Sequence, residues 1–318
     1  MATERDYTIL YRRELSLTSL RQQKWDRLVS TYDDTDRVRR VFGSVRAREK
    51  HWLIQPEYLI APEEYPESGT LYAPGVCDVT EFVEGYLALH PLDGSASLCI
   101  DITGMMRPHL LYLVKKAFDS GVRRFDALYA EPGSYLRHEE TIFAAGPVTD
   151  VRQVSGYEGS HAPTAPSLDL LVIGTGYDEE LIRFVAEHKA TARKIQMFGL
   201  PSLQADMYQE NVLRSALVAD SVGLLDDRAR CFAPAYDPFA TAQVLHDVVA
   251  ASERRGALGN LYLAPLGTKP QVLGFGLYYL SEWVGRAASV LSPVVERYER
   301  GTAKGWGRIW LYEVELLV

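Results

Sequence analysis

Two stretches of this chain place small residues, a hydroxyl, a cation and a proline where an apolar run gives way to a helix-compatible one. The stronger is Gly267-Thr268-Lys269-Pro270, which follows Leu261-Tyr262-Leu263-Ala264-Pro265-Leu266 and precedes a nearly uncharged run as far as Trp283. A proline in the first turn of a helix forfeits no hydrogen bond, because that N–H has no intrahelical partner. Backbone amides at a helix start, with a lysine beside them, suit a phosphate or another anion. The weaker stretch is Thr103-Gly104-Met105-Met106-Arg107-Pro108-His109, which follows Leu98-Cys99-Ile100-Asp101-Ile102. It keeps the same order, with Arg107 in the place of the lysine, and His109 is the one histidine at a predicted strand-end turn. Two such turns in one chain point to two related units of nucleotide-binding type.

The elements that must position these residues alternate. From Leu168 onward, predicted strands at 168–174, 194–199, 230–235 and 260–264 are separated by helices at 178–188, 206–217 and 239–252, and a helix follows over 271–284. Strands alternating with helices of about 10–15 residues mean βαβ units and a parallel sheet. The fold class expected is therefore α/β, as two Rossmann-like units with mainly parallel sheets. In such sheets ligands sit beyond the carboxyl ends of the strands. Four turns lie there: Gly174-Thr175-Gly176-Tyr177-Asp178, Gly199-Leu200-Pro201-Ser202, Pro234-Ala235-Tyr236-Asp237 and Gly267-Thr268-Lys269. Each alone is an ordinary tight turn, but all four combine small residues with a polar group. Gly174, Gly176 and Gly267 would let a ligand approach the backbone. Lys269 and Arg107 would pair with phosphates, and Tyr177 and Tyr236 would stack on a base. Tyr208, in the polar helix start Asp206-Met207-Tyr208-Gln209-Glu210-Asn211, is expected to face the same crevice.

The sequence divides into a charged helical N-terminal segment (1–50), a first Rossmann-like unit (51–150), a linker (151–167) and a second unit (168–318). Arg21 to Val29 reads as an amphipathic helix from the spacing of Trp25, Leu28 and Val29. The cluster Arg37, Arg39, Arg40, Arg46, Arg48 and Lys50 reads first as a solvated face. Residues 56–75, with Pro56, Pro62, Pro66 and Pro74, read as loop. Residues 141–167 read as irregular, and Ile309 to Leu317 as a last strand at a sheet edge.

Composition removes several classes. With 47% hydrophobic and 24% charged residues in 318, the chain has ample core for two domains. A formal charge of −8 argues against general nucleic-acid binding. Cys77, Cys99 and Cys231 offer neither a disulfide framework nor metal spacing, so a reducing, cytoplasmic setting is expected. The start is no signal peptide, and no apolar run approaches the ~18 residues of a membrane span. Gly174-Thr175-Gly176 has two glycines of the dinucleotide fingerprint, but Glu179 replaces the third. Lys269 is followed by Pro270, where a P-loop needs Ser or Thr. No Gly-x-Ser-x-Gly elbow occurs, and the histidines make no metal spacing. No cofactor is expected.

At Leu266-Gly267-Thr268-Lys269-Pro270 the second half resembles the CARF (CRISPR-associated Rossmann fold) and SAVED group, whose domains carry a Thr-Gly-Gly-Thr-Lys-Pro-like turn after a late strand. Asp101-Ile102-Thr103-Gly104-Met105-Met106-Arg107-Pro108 is similar to it. The chain departs from the pattern at Pro265-Leu266 and at Met105-Met106. The resemblance implies a pseudo-duplicated arrangement that binds a cyclic oligonucleotide or related nucleotide in prokaryotic antiviral defence. It also implies a separate effector protein, since no effector module is recognisable here, and a homo- or hetero-oligomer. Two rivals remain open at the level of sequence. One is an enzyme that hydrolyses or transfers a nucleotide, using Asp178, Glu131 or Asp237. The other is a non-catalytic assembly subunit, for which Trp306, Trp310, Tyr312 and the basic N-terminal segment speak.

Overall fold

The segment expected to be a charged helical extension carries three strands as well as two short helices. The structure, a computed structural model, describes residues 5–76, 78–135, 144–161, 163, 165–223, 229–256, 258–298 and 303–316, so Cys77 and His138 lie outside the described residues. In chain order come β1 (Arg12–Leu15), α1 (Leu17–Leu20), β2 (Lys24–Thr31), α2 (Asp36–Ser44), β3 (Arg46–Leu53) and β4 (Thr70–Tyr72). Then follow α3 (Val79–Leu89), β5 (Leu98–Asp101), α4 (Arg107–Asp119), β6 (Arg124–Ala130) and β7 (Ser134–Tyr135). The helix expected over 21–29 is β2. Trp25, Leu28 and Val29 fit a helical stripe and a strand buried on both faces equally well, and tertiary pairing decides. β2 lies between β3 and β5, parallel to both, and Leu28 to Thr31 are buried. The proline-rich 56–75 stretch is not all loop, because β4 pairs with β3 in parallel. Asp78 starts α3 by accepting from the amides of Thr80 (2.9 Å) and Glu81 (3.0 Å).

The chain continues with β8 (Ala144–Gln153), β9 (Leu170–Gly174), α5 (Glu179–His188), β10 (Arg193–Gly199), α6 (Met207–Leu217), α7 (Ala219–Val222) and β11 (Arg230–Ala233). After these come α8 (Pro238–Arg255), β12 (Leu261–Pro265), α9 (Lys269–Glu282) and β13 (Ala288–Tyr298). The six-stranded sheet runs β11-β10-β9-β12-β13-β8, and the pairs from β11 to β13 are parallel. β9 and β12 are buried along their whole length, as strands covered on both faces must be. α9 is buried from Pro270 to Leu280, which its lack of charge foretold. β8 falls in the stretch expected to be irregular, where its pairing beside β13 makes it a strand, and β13 is a strand that sequence patterning left unassigned.

Last come β14 (Ala303–Lys304) and β15 (Ile309–Glu315). β15 is not an edge strand of the unit that precedes it in sequence. It runs antiparallel to β6 over seven residues and is covered in turn by β1, closing a seven-stranded sheet of order β1-β15-β6-β5-β2-β3-β4. The compact units are therefore not the sequence blocks. The first unit is Tyr11–Pro147 with Glu296–Leu317, and the second is Met1–Leu10, Val148–Val295 and Val318. Their sheets repeat one topology. The series β2, β3, β4, β5, β6 in one and β9, β10, β11, β12, β13 in the other occupy the same relative places. Among the described residues no helix is long and apolar enough to cross a membrane.

Truncation after Arg308 should therefore damage the first unit rather than the second. Hydrogen exchange is expected to show lost protection in β6 and β1, with β9 and β12 still protected.

Candidate functional site

In the second unit the chain leaves β9 toward β10 and β11, then returns through α8 to β12 on the other side of β9. The boundary between β9 and β12 is thus the topological switch point, where connecting loops part and a crevice opens. β9 ends at Gly174 and runs into Thr175 and Gly176, while Leu266, Gly267 and Thr268 follow β12 and Lys269 starts α9. The loops are locked together. The Leu266 amide donates to the Gly174 carbonyl at 2.9 Å. A Cβ at Gly176 would come within 2.3 Å of the Leu266 carbonyl oxygen, so only glycine fits there. Thr175 donates through both its amide and its hydroxyl to the Met197 carbonyl of β10, at 2.9 Å each. The Thr268 hydroxyl donates to the Ala235 carbonyl beyond β11, and the Ala235 amide reaches the Pro201 carbonyl beyond β10 at 2.9 Å. All four strand-end turns named from sequence therefore meet at one edge.

Two buried amide groups at this edge are incompletely satisfied. Gln271 is third in α9 and 1% exposed. Its Oε1 accepts from the Thr268 amide (3.3 Å), half of a capping box completed by Thr268 Oγ1 accepting from the Gln271 amide. That bond fixes which way the amide points, and Nε2 is left buried with no partner. Asn211 of α6 donates through Nδ2 to the Thr175 carbonyl (3.2 Å), and its Oδ1 is likewise buried and unpartnered. An unmet donor or acceptor in the interior costs about 1–3 kcal/mol, so two beside one turn call for an explanation. Because the capping box occupies the amides of Thr268 and Gln271, positive charge at this helix start falls to half-buried Lys269.

The remaining expected residues divide by role. Asp178 and Asp237 cap α5 and α8, accepting from Leu181 (3.4 Å) and from Phe239 and Ala240 (3.0 and 3.1 Å). Tyr177 is held at the β9 loop, where its carbonyl accepts from Arg214 (2.9 Å), an arginine also paired with Glu179 and Glu210. Ser202 donates to the Gln204 carbonyl at 2.5 Å. Tyr208 lies edge-on to Phe198 and Phe232, with ring centroids 6.3 and 6.1 Å away. Tyr236 is half-buried in the Pro234–Asp237 turn.

The matching turn of the first unit, at its switch point between β5 and β2, is filled. Thr103 and Gly104 are buried with Met105 and Met106. Thr103 Oγ1 accepts from the Ala130 amide (3.0 Å), and a Cβ on Gly104 would meet the Thr31 carbonyl at 2.7 Å. Arg107 is half-buried and His109 is 2% exposed. Sequence reasoning missed what surrounds them. Gln55, after β3, accepts from the Met106 amide at 3.1 Å, and Glu57 Oε1 lies 3.7 Å from His109 Nε2. Burial pushes the Glu57 carboxyl up to about 7, and burial pushes Asp101 up to about 6 against the bonds it accepts from Thr103 and Ser30. Glu131 spends both oxygens on the last strand region, accepting from Trp310 Nε1 (2.7 Å) and Arg308 Nε (2.9 Å). All three carboxylates named for catalysis thus have structural employment.

A cavity of about 340 Å³ in the first unit lies at the other edge, around the starts of β2, β3 and β5, lined by Arg27, Arg48, Glu49 and Ser97. It is far from every strand-end turn, and the Arg27–Glu49 ion pair (2.9 Å) sits in its wall. No group of three His, Cys, Asp or Glu side chains that could hold a metal occurs among the described residues. A scan against protein-family models finds no match for the chain, and neither does a search of curated proteins.

Glu57 yields a pH prediction. A carboxyl whose folded pKa is raised favours folding when protonated, so its contribution is complete below its unfolded pKa near 4.5 and is lost as pH rises through about 7. The melting temperature of wild type minus that of Glu57→Gln is expected to fall by roughly 5 °C between pH 5 and pH 8. Gly176→Ala, by contrast, should lower the melting temperature at every pH.

Proposed function

We propose that the second unit binds a nucleotide-like anion at the junction of the β9 and β12 loops. The observation that carries this reading is the pair of buried, unsatisfied amide atoms, Gln271 Nε2 and Asn211 Oδ1, beside the glycine-lined switch point. A phosphate near Lys269 would gain a charge-assisted contact. Gln271 Nε2 supplies a donor and Asn211 Oδ1 an acceptor for the ligand's other polar groups. Gly176 and Gly267 keep side chains out of the approach, and Tyr177 and Tyr236 flank it with aromatic surface.

The sequence of the Gly267–Pro270 turn extends the proposal to a cytoplasmic sensor of the CARF/SAVED kind. Its signal would be a nucleotide, cyclic oligonucleotides included, in antiviral defence, and it would pass the signal to a separate effector protein within an oligomer. The capping roles of Asp178 and Asp237, and the doubly engaged Glu131, favour a sensor over a hydrolase.

The test is a thermal-shift series of wild type and Lys269→Ala against cyclic di- and oligonucleotides, NAD and nucleoside phosphates. At 100 times its dissociation constant, a ligand specific for the native state adds about 2.7 kcal/mol, a rise of roughly 5 °C or more for domains of this size. Lys269→Ala should melt like wild type without ligand and bind at least tenfold more weakly. The binding ligand should be recovered intact. No shift from any compound, or equal shifts in the variant, would remove the proposal.

A further inference from the structure

We propose that the cavity at the starts of β2, β3 and β5 binds a basic α-amino acid, a small molecule with two cationic groups and one carboxylate. The cavity measures about 340 Å³, within the range of clefts that take small molecules, about 300–1,000 Å³. It lies at the opposite edge of its sheet from the strand-end turns, and its walls are fixed by the fold. The loop from Leu92 to Ser97, between α3 and β5, is fastened to β2. The amides of Asp26 and Arg27 both donate to the Ser97 carbonyl, at 3.0 and 3.1 Å. Asp26 Oδ2 accepts from the Ser97 amide and hydroxyl, at 2.8 Å each. Arg27 Nη1 donates to the carbonyls of His90 and Pro91, at 3.1 and 2.8 Å.

The charges of the lining select the ligand. Three carboxylates border the cavity, and each turns one oxygen to the protein. Asp26 uses Oδ2 on Ser97. Asp93 uses Oδ1, which accepts from the Ser95 amide (2.9 Å) and hydroxyl (2.8 Å). Glu49 uses Oε2, paired with Arg27 at 2.9 Å. Asp26 Oδ1, Asp93 Oδ2 and Glu49 Oε1 take no bond from any described residue. The bonds from Ser97 and Ser95 hold Asp26 and Asp93 below the usual carboxylate range, and the bond from Arg27 does the same for Glu49. All three are therefore ionised at neutral pH. Arg27 offsets Glu49. Arg48 makes no ion pair with a described residue, although Asp26 and Glu49 both lie in its field. Two uncompensated carboxylates and one uncompensated cation are left, and their complement is a molecule with two cations and one carboxylate. Arg48 would repel a bare metal ion, and a neutral or acidic amino acid would leave Asp26 or Asp93 without its partner. The Arg48 fork suits the ligand's carboxylate, ammonium groups suit Asp26 and Asp93, and the ligand's methylene stem covers Leu92 and Ala96.

The experiment is isothermal titration of the full chain, at low ionic strength, with L-lysine, L-ornithine and L-arginine. Two analogues serve as controls: putrescine, which has both cations and no carboxylate, and norleucine, which lacks the side-chain cation. At least one basic amino acid is expected to bind, with an affinity that falls as salt is added because the charges are solvent-facing. Putrescine and norleucine should each bind about fivefold more weakly or worse, the worth of one well-placed ion pair near the surface. Arg48→Ala should melt like wild type, since it breaks no ion pair among the described residues, and lose about fivefold in affinity for the amino acid while binding putrescine no more weakly. Asp93→Asn keeps an oxygen for Ser95 and should lose a similar factor for the amino acid. Lys269→Ala should leave this binding unchanged. Absence of binding by all three basic amino acids would overturn the proposal, as would norleucine binding as tightly as lysine or Arg48→Ala binding lysine like wild type. None of these results bears on the Lys269-dependent ligand.

Discussion

The close approach of the β9 and β12 loops is the constraint on which the second unit depends. β9 hands the chain outward to β10, while β12 hands it to β13 on the other side, so the connections part at this boundary. α8 packs on α9, whereas α5 packs on α6 and α7. The backbone must nevertheless stay hydrogen-bonded across the gap, and the Leu266 amide on the Gly174 carbonyl supplies that bond. The geometry leaves no room for a Cβ at Gly176. This close approach thus fixes Gly176 and the path of the loop that leads to the start of α9 and its cation.

The first unit meets the same constraint with different residues. In both units the amide just before the helix cation is met by a glutamine carbonyl. Thr268 finds Gln271 within its own helix, and Met106 finds Gln55 from the loop after β3. In both, the Nε2 of that glutamine is left buried without a partner. A backbone donor at a helix start has to be satisfied, and glutamine does so at the expense of a second polar atom. That two unrelated sequence positions arrive at this compromise ties the feature to the geometry of the switch point rather than to one local motif.

The surroundings then diverge. The second unit keeps its turn partly open, with glycine, threonine and lysine half-buried. The first fills its turn with Met105 and Met106 and brings buried acids to it. Electrostatics follow packing: burial pushes the carboxyls of Glu57 and Asp101 upward.

The sequence by itself determined the α/β class, the helices of the second unit to within a few residues, the buried character of α9 and the four turns at one edge. Each is a local matter of capping groups, proline position or the period of apolar residues, written within about ten residues of chain. Tertiary structure decided the rest. Trp25-Asp26-Arg27-Leu28-Val29 became a strand because β3 and β5 flank it. β15 joined the first unit because β6 offered an open edge to pair with, a contact between residues far apart in sequence. Gln55, Glu57 and the unmet atoms of Gln271 and Asn211 could not be found from spacing, because a buried polar atom is unsatisfied only relative to what surrounds it, and that is known only once the chain has folded.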